Sequence, residues 1–167
     1  MPKIPTILTI AGSDASGGAG IQADIKTITS LGGYAASAIT AVTVQNTMQV
    51  SAVHAVPSAI VAAQIQRVCE DIPMDVIKTG MLVDRNIIHV VAQSIQEVLP
   101  RIVVVDPVMV ASSGDLLLED VAVEALQSQL LPLATIMTPN IPEAERLLDK
   151  KITSVDAMQQ AAAELSQ

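Results

Sequence analysis

The segment ILTIAGSDASGGAGIQADIKTITSL, residues 7–31, decides how this chain is read. Three of its first four residues are apolar, glycine stands at positions 12, 17, 18 and 20, and apolar residues then recur at helical spacing from Ile21. A buried strand that runs through a glycine-rich loop into a helix is the opening unit of an α/β fold. Glycine in such a loop lets the backbone come close to a ligand or to another segment.

Outward from that unit the alternation continues. Ile4 to Ala11 is expected as a strand, about Gly18 to Leu31 as a helix stopped by Gly32 and Gly33, and Tyr34 to Val44 as a second strand. MQVSAVHAV (48–56) alternates apolar and polar residues and predicts a half-exposed strand near a sheet edge. Pro57 opens a helix to about Asp71, MDVIKTG (74–80) supplies a short strand, and DRNIIHVVAQSIQEVL (84–99) a helix capped by Asp84. RIVVVDPV (101–108) is a strongly apolar strand, LEDVAVEALQSQLL (118–131) one helix, and ATIMTPN (134–140) a strand. PEAERLL (142–148) begins another helix, and TSVDAMQQAAAELSQ (153–167) reads as a capped one. Continuous apolar strands separated by helices predict a mostly parallel sheet with helices on both faces. The expected fold class is α/β, as one unit over residues 1–167 without repeats or linkers.

Composition narrows the function. The 167 residues carry a net charge of −8, one Tyr and no Trp or Phe, so the core is aliphatic with help from seven Met. Single-stranded nucleic acid needs aromatic stacking platforms, and nucleic acids and anionic membranes need a basic footprint. Neither partner is expected. No uncharged apolar stretch is long enough to span a bilayer, because residues 28–68 are broken by Gly32-Gly33, Gln45-Asn46 and Pro57. Cys69, the only cysteine, excludes an internal disulfide, fits a reducing, cytoplasmic compartment and is expected as a small buried hydrophobe. His54 and His89 have no partner at metal-ligand spacing and are expected to be structural or on the surface.

In open parallel sheets ligands gather at the carboxyl ends of the strands. The residues there are Gly12-Ser13-Asp14, Gln45-Asn46, Lys78 to Met81, Asp106 to Met109 and Thr138-Pro139-Asn140. A Walker loop is excluded, because no Lys-Ser or Lys-Thr follows the glycines. Gly18 to Ala23 matches the dinucleotide pattern G-x-G-x-x-A, but that reading needs an acid about 20 residues later for the ribose. No Asp or Glu occurs from Ile25 to Cys69.

AGSDASGGAGIQADIKT, TAVTVQNT, IKTGML, VVDPVMVASSGD and TPNIPEAE together resemble the successive motifs of the hydroxymethylpyrimidine/phosphomethylpyrimidine kinases of thiamine biosynthesis, in the ribokinase-like superfamily. The resemblance spans Ile7 to Glu145. It implies a ribokinase-like domain and ATP- and Mg²⁺-dependent phosphorylation of 4-amino-5-hydroxymethyl-2-methylpyrimidine, then of its monophosphate, by a cytoplasmic homodimer. It also implies a later glycine-rich segment that forms an anion hole and carries the catalytic base. No glycine follows Gly114 here, so the chain reads as the N-terminal part of that domain, inactive alone and without catalytic residues of its own. A pyridoxal kinase relative and a non-catalytic binder of a small ring compound are the alternatives.

Within that resemblance the site residues follow. Gly12 and the glycines from 17 to 20 would let the backbone approach a ring or phosphate, and amides at the start of the first helix could receive phosphate oxygens. Asp24 is implied on the substrate side. Gln45 is the expected reader of the pyrimidine, because an amide matches an exocyclic amine and a ring nitrogen together. Met81 and Val42 would offer apolar surface to the ring. Asp106, Asn140 and Glu143 form the phosphate and cation half, with Asp106 and Glu143 serving Mg²⁺ indirectly, since Mg²⁺ prefers few carboxylates and keeps waters. Asn46 is expected to cap a turn, Ser113-Gly114-Asp115 to form a turn near the substrate, and the roles of Lys78 and Ser112 stay open.

Overall fold

The computed structural model describes residues 3–109, 118 and 120–166, so the expectations for Ser112 and for Ser113-Gly114-Asp115 fall outside the described residues. Six strands form one sheet in the order β3-β2-β1-β4-β5-β6. They are β1 (Thr6–Asp14), β2 (Tyr34–Gln45), β3 (Val50–Ala55), β4 (Val76–Thr79), β5 (Ile102–Val105) and β6 (Ile136–Met137). All neighbours pair in parallel except β2 and β3. The half-exposed segment expected near an edge is that antiparallel edge strand.

The helices are α1 (Gly20–Ser30), α2 (Ser58–Asp71), α3 (Arg85–Val98), α4 (Asp120–Ala125), α5 (Ile141–Leu148) and α6 (Val155–Leu165). Period-2 alternation divides the sheet residues between two faces. Leu8, Ile10, Ile77, Val103 and Val105 share the main core with Ile65 of α2 and Ile87, Ile88 and Val91 of α3. Thr9 and Lys78, register partners on β1 and β4, meet Asp24 of α1 on the other face. Asp84 caps α3 by accepting from the amides of Asn86 and Ile87 at 2.8 and 2.9 Å, as its position predicts.

Three boundaries depart from expectation for identifiable reasons. β1 runs on to Asp14 instead of stopping at Ala11, because a register shift between Ala11 and Ser13 accommodates Gly12 as an irregularity against β2. α1 starts at Gly20, two residues late, because the amides of Gly18 and Ala19 are given to Asp14. The single helix expected over 118–131 is instead α4, a π-helical turn at Leu126–Leu130 and a 3-10 turn at Leu131–Leu133. Pro132 has no N–H and its ring crowds the preceding turn, so the α pattern cannot continue through it. Among the described residues no helix is long and apolar enough to cross a membrane.

Candidate functional site

The chain leaves β1 toward β2 on one side and later returns to β4 and β5 on the other, so β1 and β4 flank a topological switch point. Their carboxyl ends open into a cavity of about 680 Å³. The hydrogen-bond ladder continues one residue past the strands: the Gly80 amide donates to Ile10, that of Asp106 to Thr79 and that of Thr138 to Val105. These bonds align Gly80, Asp106 and Thr138 along one rim.

Gly12, Asp24, Gln45 and Met81 line the cavity, as do Asp106, Asn140 and Glu143. Val42 does not. It is 49% exposed, and the alternation of β2 puts it opposite in sense to Thr43 and Gln45, which do reach the cavity. The single proton of the Thr43 hydroxyl has two acceptors in reach, the Ser13 carbonyl at 3.0 Å and Gln45 Oε1 at 3.2 Å, and the Gln45 amide nitrogen has no partner among the described residues. Asn46 accepts from the amides of Met48 and Gln49 and caps the turn beside it. Met81 is fixed through its carbonyl, which accepts from the Thr40 hydroxyl at 2.6 Å. A Cβ built at Gly12 would lie 2.5 Å from Met81 Cε, so the absence of a side chain at Gly12 is what lets Met81 lie across β1.

The glycine loop is organised by an acid, Asp14, to which local sequence spacing assigns no role. Asp14, 3% exposed, accepts from the amides of Ser16, Gly18 and Ala19 at 2.8, 3.0 and 2.8 Å and from the Ser16 hydroxyl at 2.8 Å. Burial pushes its pKa up, but the Ser16 hydroxyl and the three amides outweigh it and hold the carboxyl below its ordinary value. The Gly18 and Ala19 amides, at the expected start of the first helix, are thus already engaged. α1 itself has no side-chain cap.

At the other end, Asn140 and Glu143 make a capping box for α5. The Asn140 side chain accepts from the Glu143 amide, and Glu143 Oε2 accepts from the Asn140 amide, each at 2.9 Å. The second Glu143 oxygen is 3.4 Å from the Met109 amide. Burial, reinforced by the charge of Asp106, raises the Glu143 pKa against the opposing pull of the Asn140 and Met109 amides. Asp106 is also raised, by burial and by Asp24, against Lys78 and the Thr138 hydroxyl. Both Glu143 oxygens are thus committed, while the Asp106 side chain keeps 32% exposure. Among the described residues no cluster of three His, Cys, Asp or Glu can hold a metal by itself. This donor set could hold Mg²⁺ only as an ion that keeps most of its waters, and Asp106 is the carboxylate left open to face it.

Between the two ends lies a charged link. Lys78 Nζ is 2.9 Å from Asp24 Oδ1 and 3.8 Å from Asp106 Oδ2, and Asp24 also accepts from the Thr9 hydroxyl at 2.6 Å. A lysine inside the strand VIKT is itself a signal, since a charge in a buried strand requires a partner. His89 pairs with Gln129, 3.0 Å from its Nδ1, and Cys69 is partly buried with its thiol pKa raised by that burial.

The family model described as phosphomethylpyrimidine kinase matches residues 14–167. The thiamine biosynthesis bifunctional protein of Geobacter sulfurreducens is 52% identical over 160 residues, which are 96% of this chain and 33% of that protein. The hydroxymethylpyrimidine/phosphomethylpyrimidine kinase of Bacillus subtilis is 49% identical over 158 residues, covering 95% of this chain and 58% of the relative. Among solved structures, phosphomethylpyrimidine kinase from Clostridium difficile superposes with a TM-score of 0.91 at 50% identity, over 99% of this chain and 71% of that one. Pyridoxal kinase from Staphylococcus aureus, in complex with AMP-PCP and pyridoxal, superposes with a TM-score of 0.85 at 37% identity, over 98% of this chain and 58% of that one.

Proposed function

The chain belongs to the phosphomethylpyrimidine kinase family, and on that premise we propose that it forms the pyrimidine- and cation-binding part of a kinase acting on 4-amino-5-hydroxymethyl-2-methylpyrimidine and then on its monophosphate. The chain spans only about a third to three-fifths of the curated relatives described above. The phosphoryl donor in this reading is ATP with Mg²⁺, in a cytoplasmic homodimer.

One observation carries the reading. A single cavity holds an orienting amide and a thioether toward the β2–β1–β4 side and two acids with raised pKa toward the β5–β6 side. Gln45 and Met81 would take the ring, the former by paired hydrogen bonds and the latter by packing. The hydroxymethyl group would then point along the Lys78 row toward Asp106, where Mg²⁺, when bound, neutralises charge on the transferring phosphoryl group. Asp106 would hold the ion, Glu143 would order water around it, and Asn140 would keep Glu143 in place through the capping box.

Binding is the decisive measurement here, because the anion-hole glycines implied by the resemblance are not among these residues: none follows Gly114. In isothermal titration the chain is expected to bind hydroxymethylpyrimidine in preference to pyridoxine. Gln45→Ala is expected to weaken pyrimidine binding about tenfold or more, the usual penalty for leaving a polar edge unpaired. Tighter pyridoxine binding would move the assignment to the pyridoxal kinase branch. Unchanged pyrimidine affinity in Gln45→Ala would remove Gln45 as the reader.

A further inference from the structure

Lys78 is the only cation among the described residues that line the cavity, and it has four acids for company: Asp14, Asp24, Asp106 and Glu143. Asp14 is committed to the loop amides and Glu143 to α5. That leaves Asp24 and Asp106, and Lys78 Nζ lies between them, 2.9 and 3.0 Å from the Asp24 oxygens and 3.8 Å from Asp106. The three side chains are only 17–32% exposed, so their mutual forces are weakly screened.

We propose that Lys78 is a positioning residue that acts as the built-in cation of the cleft. It pins Asp24 beside Thr9 and keeps the Asp106 end from collecting a free divalent ion, so that such an ion is retained there only together with phosphate oxygens. The physical reason is charge balance. With Lys78 present, an ion at Asp106 meets a fixed positive charge a few ångströms away, and anionic phosphate relieves that repulsion. A lysine serving only to tie β4 to α1 would leave cation affinity at Asp106 unaffected by its removal once Asp24 is neutralised as well.

The test needs no substrate and uses the 167-residue chain. Wild type, Lys78→Met and Lys78→Arg, each ¹⁵N-labelled, are titrated with MnCl₂, and paramagnetic broadening of the Asp106, Thr138 and Glu143 amides is followed. Lys78→Met is expected to bind Mn²⁺ at these residues about tenfold or more tightly than wild type, and Lys78→Arg to return close to the wild-type value. Equal affinities in wild type and Lys78→Met, or broadening centred elsewhere, overturn the proposal. Because Lys78→Met leaves Asp24 without its partner, Lys78→Met/Asp24→Asn is compared with Asp24→Asn alone. Tighter Mn²⁺ binding in the double variant supports the proposal, and equal binding defeats it. Pyrimidine binding is read separately, so failure of the proposed function and failure of this inference are distinct results.

Discussion

Gly20→Ala is expected to destabilise the fold by about 4 kcal/mol, lowering Tm by roughly 10 °C, because the new Cβ has nowhere to go. Built at Gly20, it would overlap the Gly12 carbonyl oxygen, with the Asp14 amide at 3.5 Å, so the obstruction is backbone. The residue also has φ of +55°, in the left-handed region. Gly32 provides the control. Its φ is +83°, yet nothing lies within 4 Å of a Cβ placed there. Gly32→Ala should therefore show only the left-handed penalty, about 1–2 kcal/mol. Thermal unfolding of the two variants separates collision from conformation, and equal losses would show that the approach of α1 to β1 is not as tight as described. The functional consequence follows from the same contact. It sets the start of α1, hence the height of Asp24 above Thr9 and Lys78.

Asp14→Ala is expected to cost about 3 kcal/mol, since the amides of Ser16, Gly18 and Ala19 lose a charged acceptor together. Asp14→Asn keeps one acceptor oxygen and should recover part of the loss. The effect carries a pH signature of definite sign. Hydrogen bonding depresses the folded pKa below its ordinary value, so the stability contributed by the carboxylate is fully present above about pH 4 and is lost as pH falls through the depressed folded value. Urea midpoints of wild type and Asp14→Ala should therefore differ most near neutrality and converge in acid. A gap that stays constant down to about pH 2 would show that Asp14 acts by packing and not by charge.

Much of the site was legible because the relevant signals are local. Polar or glycine ends on apolar strands mark the mouth of a parallel sheet, and seven of the eight singled-out residues line the cavity found there. Val42 is the exception, and the strand period alone could have excluded it, since Gln45 and Val42 lie an odd number of positions apart and face opposite ways. The sequence presents Asn140 and Glu143 as phosphate and cation residues. Their spacing is also that of a capping box, and the structure uses it as one.

The strand and helix order, the edge position of the segment around Val53 and the cap at Asp84 follow from the sequence by itself, because periodicity, proline, glycine and capping act over a few residues. Only the tertiary structure decided what the charges do. Asp24 and Lys78 are 54 positions apart, and Glu143 approaches the Met109 amide across 34. The partner of a half-buried charge is chosen by whichever elements the sheet order sets side by side, and strand pairing across such distances leaves no mark in local spacing.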